Sequence, residues 1–192
     1  MIILFLEIFA VLSAILYLIL AAKEDVRCWY PALFSSLLYM YIMYSAGLIM
    51  ESFLQLFYIC MAIYGWYMWS NKINFAHKIK IRRWKKQYHF YAIITVTVLA
   101  IISGFLLEKY TKAALPFLDA FTTWGAIITT YMVAKKIIEN WIYWFVIDSI
   151  SIYLFLSREL YLTALLFLIY LIIIIFGYRS WRKKINVDET KY

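Results

Sequence analysis

Turn-forming residues are scarce in this chain, with five glycines and two prolines in 192 residues. So few breaks leave little length for loops or linkers and require a mostly helical fold. Charge is thin as well: 16% of positions are charged, 66% are hydrophobic and 21% aromatic, whereas soluble domains average about 25% charged and about 45–50% apolar. A soluble globular domain is excluded, because about a third of the extended-chain surface of a domain this long stays in water. Cysteine and histidine number two each. Cys28, Cys60, His77 and His89 form no metal-ligand spacing, so no metal or cofactor is expected, and with Cys60 inside an apolar run no disulfide is expected either. There is no phosphate-binding loop, no nucleophile elbow and no paired-histidine metalloprotease motif, which leaves an ATP-driven pump or a hydrolase without visible machinery. No basic residue precedes the first apolar run, which is too long for a simple signal core and is read as a retained helix.

What the chain does have is apolar runs. Cut at the charge breaks, they fall at about residues 2 to 22, 29 to 45, 50 to 70, 88 to 107, 115 to 134, 138 to 157 and 160 to 178. At about 20 residues per span, seven helices take about 140 residues and leave no room for a soluble domain. Both prolines, Pro31 and Pro116, fall in the first turn of an expected helix, where a missing N–H is harmless. Counted on alternate sides of the seven helices, Lys and Arg divide sixteen to three. The rich side carries Lys23 and Arg27, seven residues between 71 and 87, Lys135 and Lys136, and five from Arg179 onward. Cytoplasmic loops collect basic residues, so the amino terminus is expected outside and the carboxyl terminus in the cytoplasm. The net charge of +8 is thus largely orientation. The basic segment 72–86 also suits nucleic acid or anionic lipid, but a cytoplasmic loop accounts for it without either.

Sliding the chain on itself by 112 residues aligns 5–72 with 117–184 and gives 18 identical pairs in 68. Chance in so apolar a composition yields on the order of a tenth. The matches include Lys23/Lys135, Trp29/Trp141, Gly65/Gly177, Trp69/Trp181 and Lys72/Lys184, and the same offset sets Glu7 against Asp119. Two three-helix copies in one orientation need a reversing helix between them, which the unmatched fourth helix supplies. The expected architecture is an all-α, 3+1+3 parallel-repeat bundle like that of SWEET proteins, with substrate between the repeats near mid-membrane. Its parts are a first repeat (1–72), a basic loop and linker helix (73–114), a second repeat (115–184) and a cytoplasmic tail (185–192).

Polar residues at membrane depth are functional candidates. Trp141, Trp144, Asp148 and Ser151, spaced 3, 4 and 3, share one helix face. Asp148, near mid-span, needs a cation or water if ionised; it reads as a counter-charge for a cationic substrate, or as a carboxyl satisfied by neighbouring helices. Trp144 lies too deep for an interfacial belt and offers a face for stacking or cation–π contact. Trp141, nearer the interface, suits a belt equally well. On the third helix Glu51, Gln55, Tyr58, Ala62, Trp66 and Trp69 form a similar stripe. Gln55 can read an amide or hydroxyl, or join two helices. Trp66 and Trp69 stand at the cytoplasmic boundary, where a belt role competes with ligand contact. Asp119, Thr122, Thr123, Ala126, Thr129 and Thr130 make a polar strip on the fifth helix. Gly65 and Gly177 are expected to allow close helix contact or bending.

These residues carry a resemblance. Tyr64-Gly65-Trp66-Tyr67-Met68-Trp69 with Gln55 upstream, Asp119 before a helix ending in Lys135-Lys136, Glu139-Asn140-Trp141 with Trp144, and Gly177 with Trp181 resemble the PnuC family of nicotinamide riboside transporters, over nearly the whole chain. The resemblance implies facilitated uptake of a nicotinamide riboside-like vitamin across the bacterial inner membrane without a coupling ion, with a cytoplasmic kinase trapping the product. It also implies a ligand between the repeats in contact with Trp141, Trp144 and Gln55, with Trp66 nearby. The chain departs from the family pattern at Ala62, Asp148 and Phe176, where asparagines are expected. Losing three amides and gaining a carboxylate favours a cation, and the thiazolium of thiamine qualifies alongside the pyridinium of nicotinamide riboside. Thiamine transport by a relative of the same type is therefore the second reading. A scaffold using the basic loop and an intramembrane enzyme are the competing classes, and an enzyme would need catalytic groups clustered around Asp148 at common depth. Self-association is left open by the sequence.

Overall fold

The computed structural model of the chain describes residues 2–45, 49–70, 80–111, 115–157 and 161–189. Lys72, His77, Lys78, Lys112, Arg158, Lys191 and the side chain of Glu51 lie outside the described residues. The rest is built from α1 (Ile2–Ala22), α2 (Trp29–Ser45), α3 (Ile49–Ser70), α4 (Lys86–Tyr110), α5 (Pro116–Ala134), α6 (Asn140–Ser157) and α7 (Tyr161–Glu189), with one 3-10 turn at Val26–Cys28. Helix ends fall within a few residues of the charge breaks except in α7, which runs to Glu189 rather than stopping near residue 178. Hydropathy falls at Arg179, but Trp181 and Ile185 beyond it are buried in the core. Packing and good helix formers carry the helix past the end of its apolar run.

Among the described residues three helices are long and apolar enough to cross a membrane by length and composition: α1 through Phe5–Ala22, α4, and α7 through Ala164–Ile185. The other four are shorter or hold the polar side chains, with Gln55 on α3, Asp119 and four threonines on α5, and Asn140, Asp148 and Ser151 on α6. Phe5, Leu12, Phe90, Ile102 and Leu168 are among the many large apolar side chains exposed on the outside. A surface of that kind fits lipid, and this is a membrane protein.

Sequence neighbours pack in order, α1 on α2 on α3 and α5 on α6 on α7. The two sets meet through α1 against α7 and α3 against α5, and α4 lies on α5. The α4 contact is a four-residue stripe of Ala92, Val96, Ala100 and Gly104, small enough for close approach; Gly104 receives the Phe117 ring.

At one end of the bundle the two sets are bound by matching features. The last turn of α1 closes with Glu24 N–H to Ala21 O at 2.9 Å and Asp25 N–H to Leu20 O at 3.0 Å. The last turn of α5 closes with Lys136 N–H to Val133 O and Ile137 N–H to Met132 O, both at 2.9 Å. Both are Schellman turns, which place one residue in the left-handed region and usually assign it to glycine. Here Glu24 (φ 62°) and Lys136 (φ 53°) take that position. Their side chains meet, Lys136 Nζ donating to Glu24 Oε1 at 2.5 Å. Lys184 Nζ from α7 donates to the other carboxylate oxygen at 2.9 Å and to Lys23 O at 3.0 Å.

Beside this pair run four indoles in contact: Trp29 to Trp69 at 5.4 Å, Trp69 to Trp181 at 6.0 Å and Trp181 to Trp141 at 5.5 Å between centroids. Trp69 Nε1 donates to Ala134 O at 3.1 Å and Trp181 Nε1 to Ala21 O at 3.0 Å, so each set caps the other's first helix. Lys136 Nζ lies 4.7 Å from the Trp69 ring centroid, a cation–π contact. The outer indoles are seated on glycines, as Gly65 and Gly177 leave room that a Cβ would take from Trp29 and Trp141.

Two outcomes follow from this packing. At Gly177 a Cβ would lie 2.5 Å from the Trp141 ring, against 3.1 Å from Ile147 Cδ1 at Gly125. Gly177→Ala should cost about 1–3 kcal/mol by overpacking and Gly125→Ala distinctly less. Thermal unfolding in detergent measures this, and equal losses would contradict it. Burial opposes the Glu24 carboxylate, but hydrogen bonds and charge from Lys136 and Lys184 hold its pKa below the usual 4.5. A lowered folded-state value contributes stability that is present above the unfolded pKa and lost as pH falls through the folded one. The melting-temperature gap between the native chain and Glu24→Gln should therefore be widest near about pH 7 and close in the acid range below 4.5. A gap independent of pH would remove the ion pair as its cause.

Candidate functional site

Residues 80–85 reach α4 along the turn between α5 and α6 and pin it. Arg82 N–H donates to Lys136 O and Ile138 N–H to Arg82 O, both at 3.0 Å, and Trp84 N–H donates to Glu139 Oε2 at 3.2 Å. Asn140 Nδ2 donates to Ile137 O at 2.6 Å. These contacts fix the start of α6 and hence its rotation. Its inner face then carries Trp141, Asp148 and Ser151 buried, with Trp144 half-buried against the core. The face expected from the 3, 4, 3 spacing is present as one stripe.

Asp148 is 3% exposed. Among the described residues the ion pairs join Asp25 with Arg27 and Glu24 with Lys136 and Lys184, and none reaches Asp148. A buried carboxylate without a cation pays a desolvation cost that a positive ligand or water would offset.

The remaining candidates occupy different settings. Trp141 is 1% exposed, flanked by Gly177 and by the edge of Trp181. Among the described residues, its Nε1, the Nε1 of Trp29 and the Oδ1 of Asn140 are buried without a hydrogen-bond partner. Trp69 belongs to the indole row, whereas Trp66 is 41% exposed and its Nε1 donates to the Tyr30 hydroxyl at 3.1 Å. Gln55 is half-buried on α3, which packs against α5. The α5 strip is largely self-satisfied. Thr122, Thr129 and Thr130 donate to carbonyls of their own helix at 2.7–3.1 Å, leaving their oxygens as acceptors only. Among the described residues no group of three His, Cys, Asp or Glu gathers to hold a metal.

Sequence reasoning passed over Glu24, Lys136 and Lys184, the charged cluster at the end of the bundle. A signal was available, because Glu24 and Lys136 stand at the repeat offset of 112 with opposite charge.

A family model described as nicotinamide mononucleotide transporter matches residues 4–183. The nicotinamide riboside transporter PnuC of Escherichia coli (strain K12) is 24% identical over 201 residues, covering 91% of this chain and 84% of that protein, and its Shigella flexneri counterpart matches equally. The riboflavin/roseoflavin transporter RibM of Streptomyces davaonensis is 26% identical over 125 residues, covering 62% of this chain and 58% of that protein. The crystal structure of the vitamin B3 transporter PnuC superposes with a TM-score of 0.75 at 21% identity, covering 95% of this chain and 82% of that one. Family and relatives alike are transporters, not enzymes.

Proposed function

This chain belongs to the nicotinamide mononucleotide transporter family, and from that premise we propose that it carries nicotinamide riboside by facilitated, alternating-access uptake across the bacterial inner membrane. The observation that carries the choice of ligand is Asp148, a buried carboxyl with no cationic partner among the described residues and with Trp144 on the same face. A pyridinium meets both groups, since the carboxylate balances its charge and the indole stacks on its ring. Ser151, one turn further along α6, and Gln55, across the bundle on α3, supply polar contacts to the ribose or amide. Trp141 forms the floor of the site in this conformation, and its Nε1 is a donor without a hydrogen-bond partner among the described residues. Trp66, hydrogen-bonded to Tyr30, would reach the ligand on rotation of α3 during the cycle. Trapping of the imported vitamin falls to a cytoplasmic kinase that need not touch the carrier.

The proposed architecture is seven spans in a 3+1+3 parallel repeat, with α1–α3 and α5–α7 as copies and α4 as the reversing linker. Support comes from the paired Schellman turns and the Trp29–Gly65 and Trp141–Gly177 seats, all at the same offset. The exchange of α1 against α7 and α3 against α5 supports it too. The charge count sets the amino terminus outside and the carboxyl terminus inside, with lipid around the bundle.

Thiamine is the second reading, because its thiazolium meets the same carboxylate. Purified protein in liposomes should equilibrate labelled nicotinamide riboside, and faster entry of thiamine would transfer the assignment to it. Entry of neither sinks the transport reading, and entry of neutral riboflavin alone would show that no cation is needed. Asp148→Asn should weaken binding of the cation about 10- to 100-fold, the scale of one charge-assisted contact. Unchanged affinity would remove Asp148 from the site.

A further inference from the structure

We infer that Glu24, gripped by Lys136 and Lys184 and roofed by the indole row, is the latch of the transport path at the end of the bundle where α1 and α5 terminate, and that its opening releases substrate there. This rests on the transport reading for its purpose, although the latch itself is a property of the packing. The ion pairs, the Trp69–Trp181 contact and the two indole hydrogen bonds of the cluster all cross between the two helix sets. Glu24 comes from the first set and both of its cations from the second; Trp69 and Trp181 each donate to a carbonyl of the opposite set. Separating the sets here would break the Glu24 ion pairs and both indole hydrogen bonds, along with the α1–α7 and α3–α5 packing around them.

The local backbone points the same way. Left-handed conformation is costly for residues with a Cβ, and such positions persist where the surroundings over-determine them and where a function uses them. Placing Glu24 and Lys136, rather than glycine, at matching left-handed positions aims an acid and a base at each other from equivalent turns. Lys136 is 2% exposed, so losing the Glu24 carboxylate leaves a buried ammonium less well compensated and favours the open state. Lys184 is about half exposed and can swing to water, which makes it the release side of the grip. Cys28 is fully buried beside Trp29 in the same cluster, and burial pushes its thiol pKa up, so it stays protonated and unreactive while the latch is shut.

Cys28 is therefore a built-in reporter. Cys60→Ser leaves it as the single thiol, and a water-soluble maleimide should label the otherwise native chain slowly. Glu24→Gln should raise the labelling rate about tenfold and Lys184→Met about threefold, as local opening becomes more populated. If Glu24→Gln does not fold, Lys184→Met carries the comparison alone. In liposomes Lys184→Met should raise the half-saturating nicotinamide riboside concentration for entry from the opposite end severalfold without lowering the maximal rate, because fewer molecules wait with the latch shut. A structural staple would instead lower the rate and the melting temperature together. Unchanged labelling in the folded variants, or labelling that rises only in step with lost thermal stability, overturns the latch. Because labelling needs no ligand, a chain that fails to carry nicotinamide riboside still passes or fails this test.

Discussion

A carboxylate in a left-handed turn, held by a buried lysine from the equivalent turn of the other helix set, is the contact on which the rest of this bundle depends. Each three-helix set packs within itself through consecutive neighbours, and either alone would present an unfinished apolar face. What brings the faces into register is the end seam of Glu24 with Lys136 and Lys184 and the four indoles beside them. An ion pair so buried is weak evidence of net stability, because desolvation offsets much of the attraction. Its value lies in specificity: it fixes how the sets meet and concentrates the cost of parting them at one place. A carrier needs halves that adhere and separate, and at this seam a buried charge cluster interrupts the apolar packing that joins them.

The candidate site sits one step along from the seam on the same helix. Trp141 closes the indole row and Trp144, Asp148 and Ser151 continue from it down α6. The bridge from Arg82 that pins the α5–α6 turn holds Lys136 and the start of α6 together. Movement at the latch is thereby tied to rotation of the face that would hold a ligand. Coupling by a shared rigid element of this kind is local and physical, and needs no long pathway.

Much of this was legible in the residues. Apolar runs cut by charge located the helices, since nothing but a helix satisfies its backbone in lipid, and the 3, 4, 3 spacing on α6 named the inner face because helix geometry is rigid. The end of α7 was not legible, because Trp181 and Ile185 are held by tertiary packing beyond the apolar run. Trp141 and Trp69 could equally have been an interfacial belt, and only the packed neighbours show them turned inward. Gly65 and Gly177 were read as sites of close contact; that each makes room for one indole required coordinates. Lys136 was counted as an orientation charge, and a count by loop cannot see that, of those sixteen basic residues, Lys136 is buried against a glutamate.

The central claim is that the two helix sets part at the Glu24–Lys136 seam in every transport cycle. The most direct measurement replaces Cys28 and Cys60 with serine, places cysteines at positions 24 and 136, and joins them with a short reducible bifunctional thiol reagent in liposomes. The cross-linked protein should still bind nicotinamide riboside yet admit none beyond background, and reduction should restore entry. Entry at an undiminished rate with the cross-link intact would contradict the claim.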